Sequence, residues 1–415
     1  MNRINLLLAI ALFLYFPVLS SRAQIPVTEV TKSLQKAINQ QDTAPIIPYL
    51  APNFSVYTST WPGSKGMLKR IFDDIEKDCT VEISKAKPKS IDRNRTSVKV
   101  NFIFESGTRK SRMVLNHDGK IEYITYIDER YGMSHDRPSK LVGTVPFTFE
   151  DDKIMVKLRL NDSPRELNFL FDTGADGMAI TNSLADSIGI KVSHKQSTSV
   201  VGGNTDVQIS SGNTVHLGAV LLPNKNMALF PDKHLKVDGI LGLSVANNYI
   251  VEVDFDAGVL RLYSFGKFKY PKKSHTIPVT VPSGVAVLNG TLNLTGEKEF
   301  DGQFIFDTGA KFSLVGFEGF VRKNRLLLSG FKYDKVGSMA SFNHNTMIYT
   351  GKSQSFSLGD KELETKGMPV TLQASNGKND WTPDADGSLG IGFSQHYNFI
   401  INLVDKEINF RERMK

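Results

Sequence analysis

The residues best placed to do chemistry are two aspartates in matching settings. Phe169-Leu170-Phe171-Asp172-Thr173-Gly174-Ala175 returns as Phe304-Ile305-Phe306-Asp307-Thr308-Gly309-Ala310, with six of seven positions identical and the two acids 135 residues apart. Brought close together, two carboxylates cannot both ionise, because like charges disfavour the second deprotonation. Such a pair holds one proton between its members and offers an acid and a base in one place. Other chemistries find less support. The eight histidines are scattered and no His-Glu-x-x-His occurs, so no metal site is expected. Gly202-Gly203 is not followed by Gly-Lys-Ser/Thr and is no phosphate loop. The single cysteine, Cys79, lies in the strand-like run Cys79-Thr80-Val81-Glu82-Ile83, which predicts a buried structural thiol and not a nucleophile.

The surroundings of the two acids repeat as well. Strand pairs precede them, Lys153–Leu160 with Glu166–Phe171 and Val285–Leu294 with Gly302–Phe306. Each is followed by an Asp-Gly-x-Leu-Gly element, Asp238–Gly242 and Asp386–Gly390. Each copy then closes on an aromatic residue and an apolar strand, Tyr249–Asp254 and Tyr397–Asn402. Matched flanks at this spacing indicate an internal duplication of a strand-rich unit.

Apolar residues leading into Asp-Thr-Gly, with an apolar-apolar-Gly downstream, resemble the aspartic peptidase clan, which includes the retroviral and pepsin-like enzymes. The resemblance covers residues 146–413. It implies a mostly-β bilobal fold with pseudo-twofold symmetry, lobe 1 at 146–268 and lobe 2 at 275–413, built as a tandem fusion of retropepsin-sized units. It also implies that Asp172 and Asp307 face each other and share a water. The ionised member would take that water's proton as it attacks a peptide carbonyl, and the protonated member would donate to the developing oxyanion. An aspartic endopeptidase with a polypeptide substrate follows, with no cofactor, metal or covalent intermediate; the alternative is a catalytically silent peptide-binding protein on the same scaffold. By the same resemblance Thr173 and Thr308 form a buried cross-lobe pair, and Gly174 and Gly309 bring backbone amides near the carboxylates. Gly242 and Gly390 would pack beneath the two loops. Gly202 and Gly203 are candidates for a flap tip, with an equivalent near Gly337–Ser341. Asp176 is a candidate substrate contact, although lobe 2 has Lys311 there and neither downstream glycine is followed by the arginine that partners this aspartate in retroviral enzymes. Ala175 and Ala310 stand where pepsin-like enzymes often carry a hydroxyl, which predicts a raised dyad pKa and an optimum nearer neutral. Trp381 could border the cleft or pack in the core.

The rest of the chain must position this unit. Apolar residues at helical spacing in Thr28–Leu50 predict a helix and a second short one after Asp42-Thr43; a strand at Asn53–Tyr57 and a helix at Ser64–Ile71 follow. Strand-like runs come next at Thr80–Lys85, Ser97–Glu105, Arg109–Asn116 and Ile121–Ile127, the last two joined by the turn Asn116–Gly119. Helices and then an antiparallel sheet describe an α+β domain over 24–135, and with the Leu50–Phe54 turn the order resembles the cone-like nuclear-transport-factor-2-like fold. Gly, Ser and Pro with interspersed charges make 136–145 a linker. Arg3, the apolar run Leu6–Phe16 and Ser21-Arg22-Ala23 read as a signal peptide, residues 1–23, which predicts an exported, periplasmic or secreted protein with no stable membrane anchor after cleavage. The net charge is +7, and losing Arg3 and Arg22 leaves 7 − 2 = +5. That charge is spread along the chain, and its densest stretch, Lys85–Arg95, has no aromatic interleaving, so no nucleic-acid partner is expected. Nothing in the sequence sets an oligomeric state.

Overall fold

The computed structural model describes residues 25–200, 203–232, 237–341, 344–374 and 384–414. The signal-peptide segment, Gly202 and Trp381 fall outside them.

The helix Val27–Gln40 buries Val30, Leu34, Ala37 and Ile38, spaced to form one stripe, and stops where Gln41 turns left-handed at φ 52°. The region after it yields only a single 3₁₀ turn, Ile47–Tyr49, because Pro45 and Pro48 bring no amide hydrogens to a longer helix. A second helix, Gly63–Asp74, buries Leu68, Ile71 and Phe72. The expected strand at Asn53–Tyr57 shrinks to Ser55–Val56, paired with Ser59–Thr60. An antiparallel sheet follows in chain order: Thr80–Ile83, Thr96–Phe104, Gly107–Leu115 and Ile121–Ile124. The last strand is three residues shorter than its apolar run. Thr125 Oγ1 accepts from the Arg112 amide and Ser111 Oγ from the Tyr126 amide, and these hydroxyls end the ladder and start a short helix, Thr125–Glu129. These helices and strands share one hydrophobic core, in which Cys79 is buried.

From residue 141 on the regular structure is mostly strand. Residues 141–145, read from composition as the end of a linker, instead pair with Val259–Tyr263. They form the first strand of a six-stranded antiparallel sheet whose further members are Val259–Tyr263, Ile250–Asp254, Tyr397–Asn402, Glu407–Glu412 and His275–Thr280. Ile250–Asp254 and Tyr397–Asn402 meet at the middle, with Val251 opposite Ile401 and Val253 opposite Phe399.

A β-lobe stands on each side of this sheet, and the pairings of one recur in the other. Phe169 to Asp172 lie parallel to Gly239 to Gly242, residue for residue. Phe304 to Asp307 lie parallel to Gly387 to Gly390 in the same register. The apolar residues before each aspartate are the anchors: Phe169, Phe171, Phe304 and Phe306 are fully buried. Phe306 packs edge-on against Phe399 of the central sheet at 5.0 Å, and Phe304 against Phe356 at 5.3 Å. Both lobes and the central sheet share one continuous core.

Candidate active site

Each aspartate ends a strand whose phenylalanines are buried, so an apolar run delivers a carboxylate to a fixed point. The two loops interlock through their threonines, both fully buried. Thr173 Oγ1 donates to the Phe306 carbonyl at 2.6 Å and accepts from the Thr308 amide at 3.0 Å. Thr308 Oγ1 donates to the Phe171 carbonyl at 2.8 Å and accepts from the Thr173 amide at 3.1 Å. Six polar groups that burial would otherwise leave unpaired thus satisfy one another across the two lobes through four hydrogen bonds.

That clasp sets how near the acids come. A methyl group on Gly174 would lie 2.4 Å from Asp307 Cγ, and one on Gly309 would lie 2.3 Å from Asp172 Cγ. Each carboxyl therefore sits over the glycine of the opposite loop, in space no other residue leaves open. The two carboxyls act on each other: their proximity favours the protonated form of Asp172 and the charged form of Asp307. Burial, and then the charge of Asp307, holds Asp172 well above the usual carboxylate range. Burial raises Asp307 too, but hydrogen bonds pull it back.

Those hydrogen bonds are unequal between the loops. The Gly174 amide donates to Asp172 Oδ1 at 2.9 Å. Asp307 Oδ1 receives the amides of Gly309 at 3.0 Å and Ala310 at 3.1 Å. Asp307 Oδ2 further accepts from Ser388 Oγ at 3.2 Å. The hydroxyl missing from Ala175 and Ala310 is therefore supplied to one aspartate only, from a neighbouring strand. Lobe 1 has Ile240 at the matching place, so the difference was visible in the two Asp-Gly-x-Leu-Gly elements, Ile against Ser.

Gly242 and Gly390 lie in register with Asp172 and Asp307. The amides that follow them return to the loops, Leu243 to the Ala175 carbonyl and Ile391 to the Ala310 carbonyl, both at 2.8 Å. The acidic residue of each Asp-Gly-x-Leu-Gly also has work, which the spacing alone did not reveal. Asp238 Oδ2 accepts from the Asn168 amide at 2.8 Å and Asp386 Oδ2 from the Gln303 amide at 2.9 Å, fixing the strands that carry the dyad.

Asp176 is exposed at the end of its loop, and its Cβ lies against Gly284 of the other lobe. The exposed Lys311 occupies the matching position. Gly203 opens the second strand of a hairpin, His194–Val200 with Gly203–Leu217, whose two turn residues lie outside the described ones. Lobe 2 carries the same device, Tyr333–Ser341 with His344–Lys352. Gly337–Ser341, read as its tip, belongs to the first of these strands: Ser341 pairs with His344, and residues 342–343 lie outside the described ones. A cavity of about 590 Å³ lies elsewhere on lobe 2, lined by Asn289, Asp301, Gln303 and Asp386 among others, and neither dyad residue borders it. Among the described residues no group of three His, Cys, Asp or Glu side chains gathers to hold a metal ion.

Residues 156–245 match the family model described as Aspartyl protease. The matched stretch contains Asp172, Asp176 and Gly242 and ends before Asp307. The match supports an aspartic peptidase reading for this part of the chain. A solved aspartic proteinase of Irpex lacteus is similar at 16% identity and a TM-score of 0.43, covering 66% of this chain and 98% of that one. Among the curated proteins none matches.

Proposed function

We propose that the chain is an aspartic endopeptidase that hydrolyses peptide bonds through a water held by Asp172 and Asp307. One observation carries the reading: two carboxyls from separate lobes each lie against the glycine of the opposite loop, beside a threonine clasp that joins the two loops. Asp307, with three donors of its own, is the ionised member and takes the water's proton. Asp172, protonated, donates to the carbonyl oxygen as it gains charge. The proton on Asp307 then passes to the leaving amine as the C–N bond breaks, Asp172 takes a proton back from a hydroxyl of the collapsing tetrahedral intermediate, and the pair returns to its starting state.

The recurrence of strand register between the lobes supports a pseudo-twofold arrangement derived from a tandem retropepsin-like duplication, and the two hairpins are its flaps. Element order supports a nuclear-transport-factor-2-like reading of residues 24–135. Residues 1–23 are read as a signal peptide, so the mature protein starts at Gln24 in the periplasm or outside the cell. Mass spectrometry of the exported product would give an N-terminus elsewhere if that reading is wrong.

The deciding experiment incubates the mature protein with a denatured protein substrate, with and without pepstatin. Cleavage that pepstatin blocks, and that falls by about 10²- to 10⁴-fold in Asp172→Asn and in Asp307→Asn, is the expected result. Peptide binding without cleavage in the unmutated protein would favour the silent peptide-binding alternative.

A further inference from the structure

The two lobes differ in one turn beside the dyad. In lobe 1 Glu150 pairs with Lys153, leaving only Asp151 and Asp152 between the strands. In lobe 2 the corresponding strands pair last at Thr280 and Val287, leaving six residues, 281–286. The added length reaches in two directions.

At its start the loop meets the N-terminal helix-and-sheet segment. The Val281 amide donates to Thr60 Oγ1 at 2.8 Å, and its carbonyl accepts from the Thr60 amide at 3.0 Å. Thr60 and Val281 are 1% and 2% exposed, so water cannot replace these bonds. A methyl group on Gly63 would lie 2.5 Å from the Pro282 carbonyl oxygen, so the second helix begins hard against the loop. At its far end the loop meets both aspartate loops. Gly284, at φ +85°, backs onto the Asp176 side chain: a methyl group there would lie 2.8 Å from Asp176 Cβ. The Ala286 carbonyl accepts at 2.8 Å from the amide of Phe306, the residue before Asp307. Between them, Ser283 Oγ donates to Asp384 Oδ2 at 2.6 Å.

We propose that the N-terminal segment is a brace for the substrate cleft: Thr60 and the start of the helix at Gly63 position loop 281–286 as the wall of the peptide subsite beside Asp176. The inference rests on the peptidase reading and adds to it a site for substrate residues distant from the scissile bond. Thr60 touches no substrate; it is a positioning residue. A wall held in place before substrate arrives spares the ordering entropy that binding would otherwise cost. Loosening it therefore weakens binding of peptides long enough to touch it and leaves shorter ones alone.

The test uses the full mature chain and peptides sharing one scissile bond, extended residue by residue on each side. Thr60→Val is expected to raise KM about tenfold for peptides extended on one side, the worth of roughly one buried hydrogen bond, with kcat kept. Short peptides keep both constants, and Thr60→Ser restores the long ones. Gly284→Ala, at the loop's other end, is expected to give the same length-dependent loss, and the double variant no more than either alone. Losses that are equal for all lengths, absent, or additive between the two variants overturn the brace. Should the unmutated protein cleave nothing, the peptidase reading fails separately, and the same length series is scored by the Kd of fluorescein-labelled peptides, with the same outcomes deciding.

Discussion

Ser388 breaks the symmetry that the two Asp-Thr-Gly copies suggest. Its hydroxyl bonds Asp307 Oδ2 while Ile240 offers lobe 1 nothing comparable. A donor aimed at a carboxylate favours its charged form, so Ser388 lowers the proton affinity of the dyad at the Asp307 side. Removing it in Ser388→Ala should move the acidic limb of the kcat/KM profile upward by about one pH unit, roughly the value of one charge-assisted hydrogen bond. The basic limb should move less. An acidic limb that stays in place would mean that Asp307 is not the member ionised in the active form. The absent hydroxyls at Ala175 and Ala310 and the present one at Ser388 act in opposite directions, and burial dominates both: each aspartate remains raised.

At the scale of elements, the clasp is where stability and geometry coincide. Thr173→Val removes one donor and one acceptor from a fully buried site, leaving the Phe306 carbonyl and the Thr308 amide without these partners. Denaturant unfolding should show a loss of about 2–4 kcal/mol, whereas Thr173→Ser, which keeps the oxygen, should lie near the unmutated protein. A loss in Thr173→Ser that Thr173→Val does not show would assign the effect to the methyl group and its packing, because valine keeps that methyl. Much of this scale was legible in the sequence because the duplication repeats it: the strand Lys153–Leu160 and the glycines of the Asp-Gly-x-Leu-Gly elements stand where the pattern put them. What escaped was whatever one copy does and the other does not. Val285 and Ala286 read as the start of a strand by their apolar character, yet the strand begins at Val287, since the residues before it are committed to the N-terminal segment and the Asp176 loop. Pro282-Ser283-Gly284 has the composition of a turn, but nothing local marks its partners. The strand ending at Ile124 escaped for the same reason, its stop being set by hydroxyls of Ser111 and Thr125, fourteen residues apart.

Over the whole molecule, the N-terminal segment is seated on the central sheet as well as on loop 281–286. Tyr57 donates through its hydroxyl to the Asn247 carbonyl, Thr58 Oγ1 to Asn247 Oδ1 at 2.7 Å, and Lys406 Nζ to the Tyr57 carbonyl at 2.7 Å. Tyr57 also joins a small apolar cluster around Met133, Ile250, Ile400 and Val404, to which Tyr270 belongs. Beside Lys406, burial pushes Glu407 up to about 7, partly offset by a hydrogen bond from Tyr270. An acid whose folded pKa is raised contributes its full share of stability at pH below its unfolded value, near 4.5, and that share is lost as pH climbs through the folded value, near 7. The unmutated protein should therefore lose on the order of a few kcal/mol between those limits from this group alone. Glu407→Gln keeps the shape and cannot ionise, so its stability should fall less steeply across the same interval. The dyad adds a slope of the same sign, because both of its members are raised as well. The comparison that isolates Glu407 is thus made in Asp172→Asn, by thermal unfolding from pH 4 to 8 with and without Glu407→Gln. Parallel curves would show that Glu407 is ionised throughout and that its surroundings are wetter than its burial among Tyr270 and Asn402 implies. Converging curves at low pH, separating toward neutrality, would show that the seat of the N-terminal segment weakens as the pH approaches 7.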